Sequence, residues 1–191
     1  MLIFEGPDCV GKTTACLNIL KFLPPRYTYQ HLGKLPAEFD RYWGYVDLFG
    51  KYVVQDRFHL SELAYAGVNG LKPFDRHNYS LIDSYLHSRG AFVVLITASR
   101  SILHERYREG EQIFSLEEVY RVNDLFESIA CGDVDYPTID GHFYCDRSHP
   151  YVTAMDLAAT AQEYLYRVQA LEGIKKRCSL DGQVECLPSF P

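Results

Sequence analysis

The stretch GPDCVGKTT at residues 6–14 sets two glycines, a lysine and a hydroxyl in the spacing G-x-x-x-x-G-K-[ST]. Residues of these types at this spacing make an anion cradle. Glycines allow consecutive backbone N–H groups to turn inward, and the helix that follows adds its positive N-terminal end. In such a loop the lysine reaches the outer phosphates of a nucleoside triphosphate and the hydroxyl holds magnesium. Gly6, Asp8, Val10, Gly11, Lys12, Thr13 and Thr14 are therefore the candidate ATP contacts, with Thr13 a candidate Mg2+ ligand. Cys9 fills a variable position of the loop and reads as a small inert residue rather than a reactive thiol.

A second stretch, QDRFHLSELAYAG at residues 55–67, follows an apolar run. Asp56 offers a carboxylate at a strand end, suited to a metal-bound water or an attacking oxygen. Arg57 offers a planar fork that grips phosphate with two hydrogen bonds. Pairing of both residues with surface partners is the alternative.

The elements that must carry these residues are legible. Apolar runs at 2–4, 52–56 and 91–97, an alternating aromatic stretch at 27–31 and a shorter run at 143–146 predict five strands. Helices are expected from Lys12 to Leu23, stopped by Pro24 and Pro25, and in a segment capped by Asn78 and closed by Gly90. A third follows the capping box of Ser115 and Glu118, with Val119, Tyr120, Asn123, Phe126 and Ile129 on one side. A last helix carries Val152, Met155, Ala158, Ala161, Leu165 and Val168. Strands alternating with helices predict an α/β fold: a parallel sheet with helices on both faces and its ligand at the carboxyl ends of the strands.

Composition narrows the function. The 191 residues, 47% of them hydrophobic, suffice for one domain with a proper core. A net charge of -6 argues against extended contact with nucleic acid, which is built from lysines and arginines. No apolar run reaches the length of a membrane span. Six cysteines without a C-x-x-C pair, and no signal-peptide pattern, predict a cytoplasmic protein, in the host cytoplasm if it is viral. The expected organisation is a single domain over residues 1–172 and a loosely packed tail over 173–191.

Taken together, FEGPDCVGKTT and DRFHLSELAYAG resemble the thymidylate kinase family, whose members carry F-E-G-x-D-x-x-G-K-[ST]-T and D-R-[YF]-x-x-S-x-x-A-Y-x-G. The element order agrees over about residues 1–170. The resemblance implies a three-layer P-loop kinase fold with a five-stranded parallel sheet. It also implies ATP- and Mg2+-dependent phosphorylation of a deoxynucleoside monophosphate, with dTMP or a related pyrimidine the best guess. Asp8 then lies near the sugar 3'-hydroxyl and the metal, Arg57 binds the acceptor phosphate, and Asp56 sits on the magnesium side. Phe58, Ser61 and Tyr65 line the substrate pocket together with Gly67. Residues 99–115 resemble the family's arginine-bearing lid, with Arg100, Arg106 and Arg108 as candidate ATP contacts and Lys12, Asp56, Arg57, Arg106 and Arg108 as the catalytic set. The family's frequent dimers allow a homodimer.

The resemblance thins between the second and third strands, where HLGKLPAEFDRYWGYVDLFGK at 31–51 is shorter than the family's usual insert. Phe39, Arg41, Tyr42 and Trp43 are the candidates there for gripping a base. Ala66 replaces a glutamine common in the family. A deoxynucleoside kinase is the main alternative, although such enzymes carry a glutamate after the second strand where this chain has Leu32, Gly33 and Lys34. A kinase of bases within DNA is disfavoured by the acidic balance. A non-enzymatic nucleotide switch would account for DLFG at 47–50, yet no N-K-x-D motif accompanies it. His142, Cys145 and His149 have metal-binding donor atoms at short spacing, but lack a fourth ligand and read as packing residues.

Overall fold

The computed structural model describes residues 1–33, 41–66, 68, 76–110, 113–132 and 139–180; the side chains of residues 41, 42, 76–78 and 175–180 lie outside that description. Five strands form one sheet: β1 (Leu2–Glu5), β2 (Thr28–His31), β3 (Val53–Asp56), β4 (Phe92–Ala98) and β5 (Gly141–Cys145). Their order across the sheet is β2-β3-β1-β4-β5, and every neighbouring pair is parallel.

Alternation along the central strands feeds two separate cores. Leu2, Phe4, Phe92, Val94 and Ile96 point to one face, where they meet Cys16 and Ile19 of α1 (Lys12–Ile19) and Leu157, Ala161 and Tyr164 of α7 (Ala154–Leu180). Ile3, Val93 and Leu95 point to the other. They meet Tyr45 of α2 (Arg41–Asp47), Leu60 and Ala64 of α3 (His59–Ala66), Ile82 and Leu86 of α4 (Arg76–Ser88), and Val122 and Phe126 of α6 (Leu116–Ala130). Period-two side-chain alternation thus yields a three-layer α/β fold, since β1 and β4 are buried along their whole length. A short helix, α5 (Arg100–Arg106), leads away from β4.

Several helices differ from the sequence expectation. The first ends at Ile19 and continues as a tight turn over Leu20–Phe22; Leu17 is half exposed and Ile19 takes the buried place. Asn78 lies inside α4 and is not its cap, while Gly90, at φ 83, closes that helix by donating to the His87 carbonyl at 2.9 Å. The Ser115–Glu118 capping box forms as expected. The last helix buries Leu157, Ala161 and Tyr164, leaves Met155 exposed, and runs through Gly173 to Leu180. Its apolar residues occur on every side, so periodicity alone does not select the buried stripe.

A polar latch ties α4, β5 and α7 together at the amino-terminal edge of β4. Asp140 accepts from the Val93 amide at 2.7 Å and from Arg167 at 2.5 Å, and its carboxylate lies 3.4 Å from His87 Nε2. Burial works against both charges, but the hydrogen bonds win, so that His87 is raised above its ordinary pKa and Asp140 is lowered below its own. A raised histidine adds stability that is present below the unfolded value of 6.5 and lost as pH rises through the folded pKa. A lowered aspartate adds stability that is present above 3.8 and lost as pH falls through its folded pKa. Urea unfolding should therefore show a contribution from the pair that is largest between about pH 4 and 6.5, and Asp140→Asn should flatten that part of the profile.

Candidate functional site

Two turns meet at the carboxyl edge of the sheet because β1 and β3 are neighbours, with Phe4 opposite Asp56. The loop after β1 winds through left-handed backbone at Cys9 (φ 66) and Gly11 (φ 92), and Gly6 stands at φ 143. A Cβ on Gly6 would lie 2.0 Å from the Ile96 carbonyl oxygen, so strand β4 leaves room there for glycine alone. Val10 is buried beneath the loop, and Thr14 is exposed in the first turn of α1.

Lys12 is buried, with its ammonium donating to the Pro7 carbonyl at 2.5 Å, inside the curl of the loop. Burial, reinforced by the Arg57 charge, pulls its pKa down to about 8. Thr13 donates its hydroxyl to Asp56 Oδ2 at 2.6 Å, which links the loop to β3. The same oxygen accepts from the Tyr29 hydroxyl at 3.1 Å and lies 3.3 Å from His31 Nδ1. The other carboxylate oxygen, Oδ1, is buried with no hydrogen-bond partner among the described residues.

Arg57 has the second unusual backbone. Its φ is 68, a conformation that costs a non-glycine residue on the order of 1–2 kcal/mol, and its amide donates to the Phe4 carbonyl at 3.0 Å. The guanidinium pairs with Asp8 of the loop and lies 4.8 Å from the centre of the Tyr65 ring. Tyr65 in turn packs on Phe114, 5.0 Å between centroids, at the far end of the expected lid segment.

Arg106, the last residue of α5, crosses the other flank of the loop. It donates to the Val10 carbonyl at 2.9 Å, the Cys9 carbonyl at 3.3 Å and the Pro150 carbonyl, and its guanidinium lies 4.8 Å from the Tyr151 ring centre. Burial and then Asp8 push the Cys9 thiol up, away from the reactive thiolate.

The structure thus gathers Asp8, Lys12, Thr13, Asp56, Arg57, Tyr65 and Arg106 around the loop that runs from Gly6 to Gly11. The other candidates make their hydrogen bonds outside this group, although the Arg108 charge acts on the Cys9 thiol of the loop. Arg100 pairs with Asp124 at 2.7 Å on an exposed surface, and Arg108 donates to the Glu105 and Tyr107 carbonyls of its own segment. Phe58 is 1% exposed, its ring packed on Tyr45, and Ser61 donates its hydroxyl to Glu5; both side chains are buried. Trp43 is 55% exposed on α2, and Phe39, Gly67 and the side chains of Arg41 and Tyr42 lie outside the described residues. His142 is 2.8 Å from the Thr97 hydroxyl, Cys145 is buried, and no metal-binding cluster of His, Cys, Asp and Glu occurs among the described residues.

Sequence reasoning missed Glu5, Tyr29 and His31. The signal for Glu5 was present, a carboxylate directly after LIF in a strand with no room for solvent. Tyr29 and His31 sit on an edge strand, where nothing in the pattern marks them as neighbours of Asp56.

No family model and no curated protein sequence matches the chain. Solved structures do. The YorR protein of Bacillus subtilis, in complex with phosphorylated GDP, superposes with a TM-score of 0.64 at 19% identity over 90% of this chain and 97% of that one. A putative polyphosphate kinase 2 from Pseudomonas aeruginosa PA01 follows at 0.60 and 19%, over 90% of this chain, which spans 41% of the length of that protein. Polyphosphate kinase 2 from Arthrobacter aurescens TC1 gives 0.55 at 16%, over 100% and 71%. The chain shares the three-layer α/β fold of these proteins. No helix among the described residues is long and apolar enough to cross a membrane.

The oxygens at Thr13 and Asp56 are of the kind that could hold magnesium. Asp56 Oδ1, without a partner among the described residues, and the Thr13 hydroxyl are hard donors beside the glycine-rich loop, as that ion requires. The lowered Lys12 pKa has a further consequence. The protonated ammonium is what would attract a phosphate, so affinity for inorganic triphosphate at this loop should fall as pH rises through about 8. Calorimetric titration between pH 7 and 9.5 checks this, and Lys12→Ala should bind weakly with a flat profile.

Proposed function

We propose that the protein transfers the γ-phosphoryl group of ATP to a deoxynucleoside monophosphate, with dTMP or a related pyrimidine nucleotide as the preferred acceptor. The observation that carries this reading is the placement of Arg57. Its guanidinium turns back over Asp8 of the phosphate loop, so a cation suited to a second anion stands beside the cradle built for the first.

In this reading Gly6, Gly11 and Lys12 hold the outer phosphates of ATP, and Arg106 closes the flank of the loop toward Pro150 and Tyr151. Thr13 and Asp56 would hold magnesium, which would supply positive charge beside the phosphates. Arg57 releases Asp8 in favour of the acceptor phosphate, and Asp8 is then free for the sugar hydroxyl. Phosphoryl transfer leaves a protein little covalent work, so alignment of two anions by opposed cations is its main lever. The resemblance of both motifs to thymidylate kinase supports the pyrimidine monophosphate. The phosphorylated GDP in the YorR structure agrees with a nucleotide phosphate in this kind of cleft.

A nucleoside acceptor is the second reading, and one observation favours it. His31, 47% exposed at the end of β2, forms an imidazole–carboxylate pair with Asp56. Such a pair suits removal of a proton from a hydroxyl, which a phosphate acceptor does not need.

Incubation with ATP, magnesium and separate panels of nucleosides and monophosphates tests the choice. Turnover of monophosphates alone is expected, with pyrimidine deoxynucleotides first; turnover of nucleosides alone reverses the ranking. Arg57→Ala should lower kcat/KM for the acceptor by about 2–5 kcal/mol of lost charge-assisted contact, and an unchanged acceptor response would remove Arg57 from the site.

A further inference from the structure

Glu5 is a fully buried carboxylate that touches neither proposed substrate. One oxygen accepts from the Phe58 and Leu60 amides, both at 2.9 Å, and the other accepts from the Ser61 hydroxyl at 2.5 Å. All three donors lie at the amino-terminal end of α3, where unpaired amides and the helix dipole favour a negative group. The carboxylate comes from a different strand, β1, and the residue after it is Gly6, which opens the phosphate loop.

We propose that Glu5 is the positioning residue of Arg57: it holds the turn after β3 in the left-handed form that aims the acceptor-binding guanidinium at the phosphate loop. Arg57 is gripped on each side. Its amide donates to the Phe4 carbonyl at 3.0 Å, its carbonyl accepts from Gln55 Nε2 at 3.0 Å, and the next amide, that of Phe58, belongs to Glu5. Without Glu5 the Phe58 and Leu60 amides would be buried and unpaired, and the contacts of Arg57 with Phe4, Gln55 and Asp8 would be left to offset the backbone cost of φ 68 without the turn that follows. The same four residues, Glu5 to Asp8, then fix Arg57 at both ends, backbone through Glu5 and guanidinium through Asp8. Donor and acceptor sites thereby share one rigid segment.

This inference rests on the reading of Arg57 as the acceptor's anchor, and the test separates the two. Steady-state constants for ATP and acceptor are measured for the wild type, Glu5→Ala, Glu5→Gln, Arg57→Ala and the Glu5→Ala/Arg57→Ala double variant. Glu5→Ala should raise the acceptor KM by roughly tenfold or more while changing the ATP KM by less than about threefold, and should cost nothing further once Arg57 is gone. Glu5→Gln, whose amide oxygen still accepts from both backbone amides, should recover most of the loss. Equal damage to both KM values, or additive losses in the double variant, would overturn the proposal.

A crystal structure of Glu5→Ala gives a readout independent of turnover. Arg57 should leave the left-handed region, whatever the acceptor proves to be, and a φ still near 68 would overturn the positioning role even if Arg57 is the anchor. Where Glu5→Ala does not fold, Glu5→Asp carries the same test. It keeps the charge but draws the carboxylate back by about one C–C bond, or ~1.5 Å, from the α3 amides, and Arg57 should shift as in the alanine variant.

Discussion

The pairing of β1 with β3, Phe4 opposite Asp56, is the constraint on which the site depends. Both strands end at the same level, so the two turns that follow are forced into contact. The Arg57 amide continues the ladder by one more bond to the Phe4 carbonyl before the backbone swings into the left-handed region. Chemistry that needs two anions close together requires two cationic segments close together, and adjacent parallel strands supply them. The insulation of β1 and β4 by helices on both faces keeps that edge rigid.

Charge in the cleft is arranged so that each cation rests on an oxygen. Lys12 rests on the Pro7 carbonyl, Arg57 on Asp8, and Arg106 on the Cys9, Val10 and Pro150 carbonyls. An arriving phosphate competes for these cations and strengthens their hydrogen bonds, because a phosphate oxygen carries more charge than a carbonyl. Asp56 is the exception on the acidic side. One of its oxygens has contacts to Thr13, Tyr29 and His31, and the other is buried with none among the described residues, which is the position a hard cation would take.

Much of this was legible in the sequence, and for physical reasons. The apolar runs at 2–4 and 91–97, rich in β-branched and aromatic residues and next to Gly6 and Gly90, favour buried strands, and Ser115 with Glu118 writes a helix start in the side chains themselves. The phosphate loop was legible because its glycines answer a steric demand, the Ile96 carbonyl against Gly6. Arg106 and Arg108 were indistinguishable by spacing; Arg106, at the end of α5, hydrogen-bonds to the loop, whereas Arg108 hydrogen-bonds to its own segment and acts on the Cys9 thiol through its charge. The burial of Ser61 and Phe58 was not legible, because motif position does not say which side of a helix faces the core. Glu5, Tyr29 and His31 act through partners distant in sequence, and no local pattern encodes those contacts.

The central claim is that Lys12 and Arg57 hold two phosphate groups at once across one cleft. The most direct measurement is the binding of a compound that joins adenosine and deoxythymidine through five phosphates. If the account holds, calorimetry should find it bound more tightly than ATP or dTMP alone, with Lys12→Ala and Arg57→Ala each weakening it. Affinity no greater than that of ATP, unchanged by Arg57→Ala, would contradict it.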